Sequence, residues 1–96
     1  MDKIQIRRLT DKEKNAFNIP DKPRQQGPWS VWECEPSSFD WRYDEIEIAY
    51  VYEGLVKVKT AQQELEIKSG DYVTFPAGLS CHWEVKERIR KVYKFV

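Results

Sequence analysis

Residues 70–83 read GDYVTFPAGLSCHW, and this stretch decides the fold. Tyr72 to Phe75 alternates side chains with a period of two, the mark of a β-strand with one buried face. Gly70 before it and Pro76-Ala77-Gly78 after it are turn formers, so the strand is short and bounded. Ser80 to Val85 then opens a second strand. Successive strand residues point to opposite faces, so Cys81 and Trp83 share a face and His82 lies on the other.

Working outward, the same period recurs along the chain. Trp29 to Cys34, Phe39 to Tyr43, Glu45 to Glu53, Leu55 to Thr60, Glu64 to Lys68 and Arg90 to Val96 all read as strands. Gly54 is read as a break between two of them, and Ala61-Gln62-Gln63 as a hairpin loop. Short strands spaced by roughly 8–12 residues mean a sandwich or a barrel. Val56, Val58, Leu65, Ile67, Val73 and Phe75 fall on inward phases. In Glu45 to Glu53 one face carries Glu45, Glu47, Ala49 and Val51. The other carries Ile46, Ile48, Tyr50 and Tyr52 and is apolar throughout.

The first 28 residues differ. Thr10 with Glu13 fits a capping box, which predicts about one to two helical turns over Asp11 to Phe17. The following NIPDKPRQQGP holds Pro20, Pro23, Gly27 and Pro28 and cannot be a regular element. The expected organisation is one domain over 1–96, with an N-terminal strand and Pro-rich arm over 1–28 and a barrel over 29–96.

Composition narrows the function. Sixteen Lys plus Arg balance sixteen Asp plus Glu, for a formal net charge of zero. A nucleic-acid or membrane-surface protein normally shows a basic excess, so neither partner is expected. No apolar run approaches the ~20 residues of a membrane span. The start, MDKIQIRRLTDKEK, has no apolar stretch of the secretory-signal kind. Cys34 and Cys81 belong to no C-x-x-C. The chain is therefore expected to be cytoplasmic with free thiols.

Two segments carry a resemblance. Glu47, six residues, then Gly54 is similar to the end of the first cupin motif, G-x5-H-x-H-x3-4-E-x6-G. Gly70, five residues, then Pro76-Ala77-Gly78 is similar to the start of the second, G-x5-P-x-G-x2-H-x3-N. The chain further resembles a subgroup of small one-domain cupins through Trp32, Glu35, Phe39, Trp41, Tyr43, Glu47, Tyr50, Glu53, Gly54, Gly70, Asp71, Val73, Phe75, Pro76, Gly78, Leu79, Cys81, Trp83, Arg90, Lys91 and Tyr93. That subgroup is grouped with ureidoglycine aminohydrolase and ethanolamine-utilisation Q-type cupins. The resemblance implies an all-β, antiparallel jelly-roll barrel.

Metal-binding cupins present three His and one Glu inside the barrel. The resemblance puts the histidine positions at 41 and 43, or 40 and 42, and at 81. This chain has Trp41 and Tyr43, or Asp40 and Arg42, and Cys81. Only Glu47 survives, with Cys81 as the one chemically possible substitute. Two ligands are fewer than a protein metal site normally uses, so no metal or other cofactor is expected.

Glu47 is expected inside the barrel, where a carboxylate needs a partner. Arg42, Arg90, Lys91 or the Tyr43 hydroxyl could serve. Trp41, Tyr43, Glu47, Cys81 and Trp83 are the expected cavity residues. The three aromatics are either plain core or a wall around a pocket. Two functions remain open. The first is a metal-free barrel that binds a small polar metabolite or serves as an accessory subunit. The second is an enzyme, a ureidoglycine aminohydrolase-like hydrolase or a lyase or isomerase, using Glu47 with Tyr43 or Cys81. The apolar face of Ile46, Ile48, Tyr50 and Tyr52 must be covered. The candidates are a second subunit, giving a homodimer, and the chain's own arm.

Overall fold

The computed structural model describes residues 3–96. Seven strands and one short helix follow in the order β1 (Gln5–Arg8), α1 (Asp11–Ala16), β2 (Ser30–Cys34), β3 (Ser37–Arg42), β4 (Glu47–Lys59), β5 (Glu64–Lys68), β6 (Asp71–Phe75) and β7 (Ser80–Phe95). All pairings are antiparallel, and the strands close on a common interior as a small jelly-roll barrel. No helix among the described residues is long and apolar enough to cross a membrane.

β4 and β7 are the long strands that bind the barrel together. The first half of β4, Glu47 to Tyr50, pairs with β6 on one side and with the end of β7 on the other. Its second half, Leu55 to Lys59, pairs with β5 and with the start of β7. β2 and β3 lie along the outer edge of β7, opposite Ile89 to Tyr93 and Ser80 to Val85 respectively. Each long strand thus serves both halves of the barrel.

The breaks read from the sequence between Glu53 and Leu55 and between Val85 and Arg90 are therefore not strand ends. β4 runs through Gly54 with register shifts between Val51 and Val56. Gly54 sits at φ +113°, and a Cβ there would lie 2.5 Å from the Arg88 carbonyl oxygen. Only glycine lets the two backbones pass this closely.

The interior holds Val56, Val58, Ile67, Val73, Phe75, Tyr43, Trp83, Val85 and Ile89, with Leu65 packed at its margin. The apolar outer face of β4 belongs to a second cluster around Trp29, Tyr50 and Val92, joined by Ile19, Ile48, Tyr52 and Tyr72. The chain's own N-terminal segment covers this face. α1 begins with the capping box at Thr10, whose Oγ1 accepts from the Glu13 amide at 3.1 Å while Glu13 Oε1 accepts from the Thr10 amide at 3.0 Å. It ends in a Schellman turn, with Asn18 at φ +56° and the Ile19 amide donating to the Lys14 carbonyl. That turn delivers Ile19 onto the sheet. Trp29 Nε1 donates to the Phe17 carbonyl at 3.1 Å, the Tyr52 hydroxyl donates to the Pro20 carbonyl at 2.5 Å, and Phe17 stacks on Tyr72. Tyr50 is left 7% exposed.

Candidate functional site: an aromatic cavity around a buried ion pair

Between the two halves of the barrel lies a cavity of 480 Å³. Its walls are almost entirely aromatic. β2 contributes Trp32, β3 contributes Phe39 and Trp41, and Tyr43 follows just beyond β3. β7 supplies Trp83 near its start and Tyr93 and Phe95 near its end. Phe39 and Trp83 are nearly parallel, with centroids 6.0 Å apart and planes 15° apart; Trp32 meets Trp83 edge-on at 5.8 Å. Tyr43 stacks on Phe75 at 4.6 Å. Trp41 and Phe95 stand at the mouth, about half exposed.

Among the described residues, Glu47 and Lys91 are the only charged ones in the lining. Glu47 opens β4, on the same inward phase as Ala49 and Val51. Lys91 follows Ile89 on the inward phase of β7. Lys91 Nζ donates to Glu47 Oε2 at 2.8 Å, and both residues are buried. The ammonium also lies 4.9 Å from the Trp83 ring, 5.0 Å from Trp32, 5.6 Å from Phe75 and 5.8 Å from Tyr93. A desolvated ammonium over an aromatic face gains about 2 kcal/mol, so the rings replace part of the lost hydration.

Of the four partners considered for Glu47, Lys91 is the one that takes the carboxylate. Arg90 turns outward to Glu33 at 2.8 Å, and Arg42 is exposed beside Asp44. Lys91 belongs among the site residues. The signal was period two: counting from Ile89 to Tyr93 places Lys91 inward between two apolar side chains. Trp32, Phe39, Tyr93 and Phe95 also line the cavity beyond the residues first singled out.

Four of the five expected cavity residues line it: Trp41, Tyr43, Glu47 and Trp83. Cys81 is buried in the same core as Tyr43 and Trp83 and borders a separate, open hollow with Trp41 and His82 instead of this cavity. Its short side chain ends inside the wall, where Sγ lies 3.7 Å from the carbonyl oxygen of Trp41, its cross-strand partner. Burial raises the thiol above its ordinary value, so it stays protonated near neutral pH. Burial, and after it the charge of Glu47, likewise push the Tyr43 phenol well above its ordinary range. The Trp83 indole N–H lies near both groups, slightly favouring their ionised forms, yet it is buried and makes no hydrogen bond. His82 is on the outside of the barrel, with Nδ1 2.8 Å from Asp40 Oδ1.

The residues at the implied metal positions do not fit a metal. Trp41 has no ligating atom, Tyr43 is held protonated, and Cys81 is a neutral thiol within the wall. Glu47 already carries an ammonium. Among the described residues no three His, Cys, Asp or Glu side chains gather where they could hold a metal ion.

Comparison with known proteins follows the same lines. The family model of the EutQ-like cupin domain matches residues 22–93. A DUF861 family protein from Thermotoga maritima is 37% identical over 98% of this chain and 100% of its own, with a TM-score of 0.87. The EutQ protein of Clostridium difficile shares the fold at 20% identity, over 94% of this chain and 64% of its own, with a TM-score of 0.62. An RmlC-like cupin from Shewanella frigidimarina does so at 12% identity, over 71% of this chain and 65% of its own, with a TM-score of 0.56. Among curated proteins none matches the chain.

Proposed function

The chain belongs to the EutQ-like cupin domain family, and from that premise we propose that its barrel binds a small polar metabolite without a metal. One observation carries this reading. The cavity encloses a single buried ion pair, Lys91 2.8 Å from Glu47, ringed by aromatic side chains. An apolar, concave wall around a few polar groups is the usual make-up of a small-molecule site. A ureidoglycine aminohydrolase-like reaction that depends on a barrel metal finds no ligand set here.

A metal-independent lyase or isomerase is the second reading, and Tyr43 favours it. Glu47 is an acceptor and the Tyr43 hydroxyl, held protonated by burial, is a hydrogen-bond donor that can orient a substrate, which leaves Glu47 as the candidate base. Cys81 has no part in that chemistry, since its neutral thiol stays behind the wall.

The test has two measurements on the purified protein. Elemental analysis after dialysis is expected to find no stoichiometric Fe, Mn, Zn or Ni. A fragment screen read by tryptophan fluorescence is expected to yield binders, because Trp32, Trp41 and Trp83 all line the cavity. A stoichiometric metal retained through dialysis, or a screen without binders that quench, would overturn the reading.

A further inference from the structure

We propose that the ligand is a flat, uncharged ring whose polar edge both donates and accepts hydrogen bonds, as a carboxamide, a lactam or an N–H heterocycle does. The inference rests on the binding reading above and narrows it to a ligand class. Three features of the cavity carry it.

The first is charge. Among the described residues Glu47 and Lys91 are the only charged groups in the lining, and they are paired at 2.8 Å. An anion brought to this site meets the ammonium and the carboxylate at similar range, so attraction and repulsion nearly cancel. The cost of stripping water from the anion remains. The same holds for a cation, with the signs exchanged. A ligand without net charge avoids that cost.

The second is the set of hydrogen-bonding groups left over. Lys91 takes Glu47 Oε2, which leaves Oε1 to accept from a ligand donor. The buried Trp83 indole N–H has no partner. Tyr43 keeps its hydroxyl proton beside it. The cavity therefore offers an acceptor in Glu47 and a donor in the Tyr43 hydroxyl, with the Trp83 N–H buried behind that hydroxyl, and a buried group of either kind is costly while unpaired. A carboxamide edge answers both, with its N–H toward Glu47 and its carbonyl toward the Tyr43 hydroxyl. A carboxylate edge has no N–H to give.

The third is shape. Phe39 and Trp83, stacked on each other, form one aromatic wall of the cavity, and Trp41 and Phe95 extend the aromatic surface to the mouth. Planar rings stack on such faces, and alkyl chains gain no comparable geometry.

Benzamide and benzoate form the test pair, since they share a ring and differ in the edge and charge. Binding is read by tryptophan fluorescence and by the Trp83 indole N–H resonance. Benzamide is expected to bind at least about tenfold more tightly than benzoate. The Glu47→Gln variant removes the negative charge at nearly constant shape, leaves Lys91 unneutralised, and is expected to reverse the preference toward benzoate. Equal or tighter binding of benzoate to the wild-type protein overturns the ligand class while the binding reading stands. Failure of both compounds to move either signal at millimolar concentration removes the binding reading with it. If Glu47→Gln does not fold, the wild-type comparison alone decides.

Discussion

Lys91 is the residue on which the interior depends. Its charge is what allows Glu47 to remain a buried carboxylate, and removing one member of such a pair leaves the other stranded. Lys91→Met is expected to destabilise the fold by about 3–5 kcal/mol, read from urea unfolding. Glu47→Leu combined with Lys91→Met is expected to recover most of that loss, because an apolar pair of similar volume carries no desolvation cost. A double variant as unstable as Lys91→Met would show that the charges are not the source of the effect. Cys81 is argued from the opposite direction. Burial raises its thiol above the ordinary 9.0, so the unfolded chain releases this proton at lower pH than the folded one. The folded state's preference for the neutral thiol is fully present below that value and is lost as pH climbs through the raised one. Iodoacetamide is therefore expected to alkylate the half-buried Cys34 first near neutral pH. Cys81 should follow only at clearly alkaline pH, as peptide masses would report; equal rates at neutral pH would refute the buried assignment. At this scale the sequence discloses phase but not depth. Period two put Glu47 and Cys81 on the inner face, yet only the fold decides that a long side chain reaches the cavity and a short one stops in its wall.

Gly54 shows what an element's sequence conceals. Read along the chain, a glycine between Glu53 and Leu55 is a strand end, and the stretch between Val85 and Arg90 reads as a gap between two strands. Both are interior points of β4 and β7, where the two strands bend together around the barrel. The signal for continuity lies in pairing between segments more than thirty residues apart, which local periodicity does not contain. Helix α1 was legible almost to the residue, since Thr10 and Glu13 are local signals that act through local hydrogen bonds. Two glycines now separate strain from crowding. Gly78 sits at φ +81° with open space where a Cβ would stand, so Gly78→Ala is expected to cost about 1–3 kcal/mol, the cost of a disfavoured backbone region. At Gly54 the same backbone strain is joined by a Cβ 2.5 Å from the Arg88 carbonyl oxygen. Gly54→Ala is therefore expected to be clearly the more damaging of the two, with urea midpoints measured side by side. Equal losses would mean that β4 and β7 can separate at this crossing without cost.

The whole molecule is organised around two apolar faces of one sheet. The inner face fills the barrel and shapes the cavity. The outer face, Ile48, Tyr50 and Tyr52, is roofed by residues that come before the barrel in sequence. That roof covers Tyr50 within one chain, and the mass in solution reads whether a second subunit packs against the same face. The requirement that something cover Tyr50 was legible in the alternation of β4. The choice between arm and subunit was not, since it turns on where the Schellman turn at Asn18 aims the chain. Tyr50→Glu distinguishes the two. Tyr50 packs with Trp29 and Val92 and lies beneath the Lys14 ammonium, 5.5 Å from its ring. A carboxylate there would be buried among apolar groups with only a half-exposed lysine to meet it, which weakens the hold of the arm on the sheet. Trypsin is then expected to cut faster after Lys14 and Arg24 in the variant than in the wild type, while the mass by light scattering at micromolar concentration does not change. A halved mass with unchanged cleavage would place a partner subunit, and not the arm, over Tyr50.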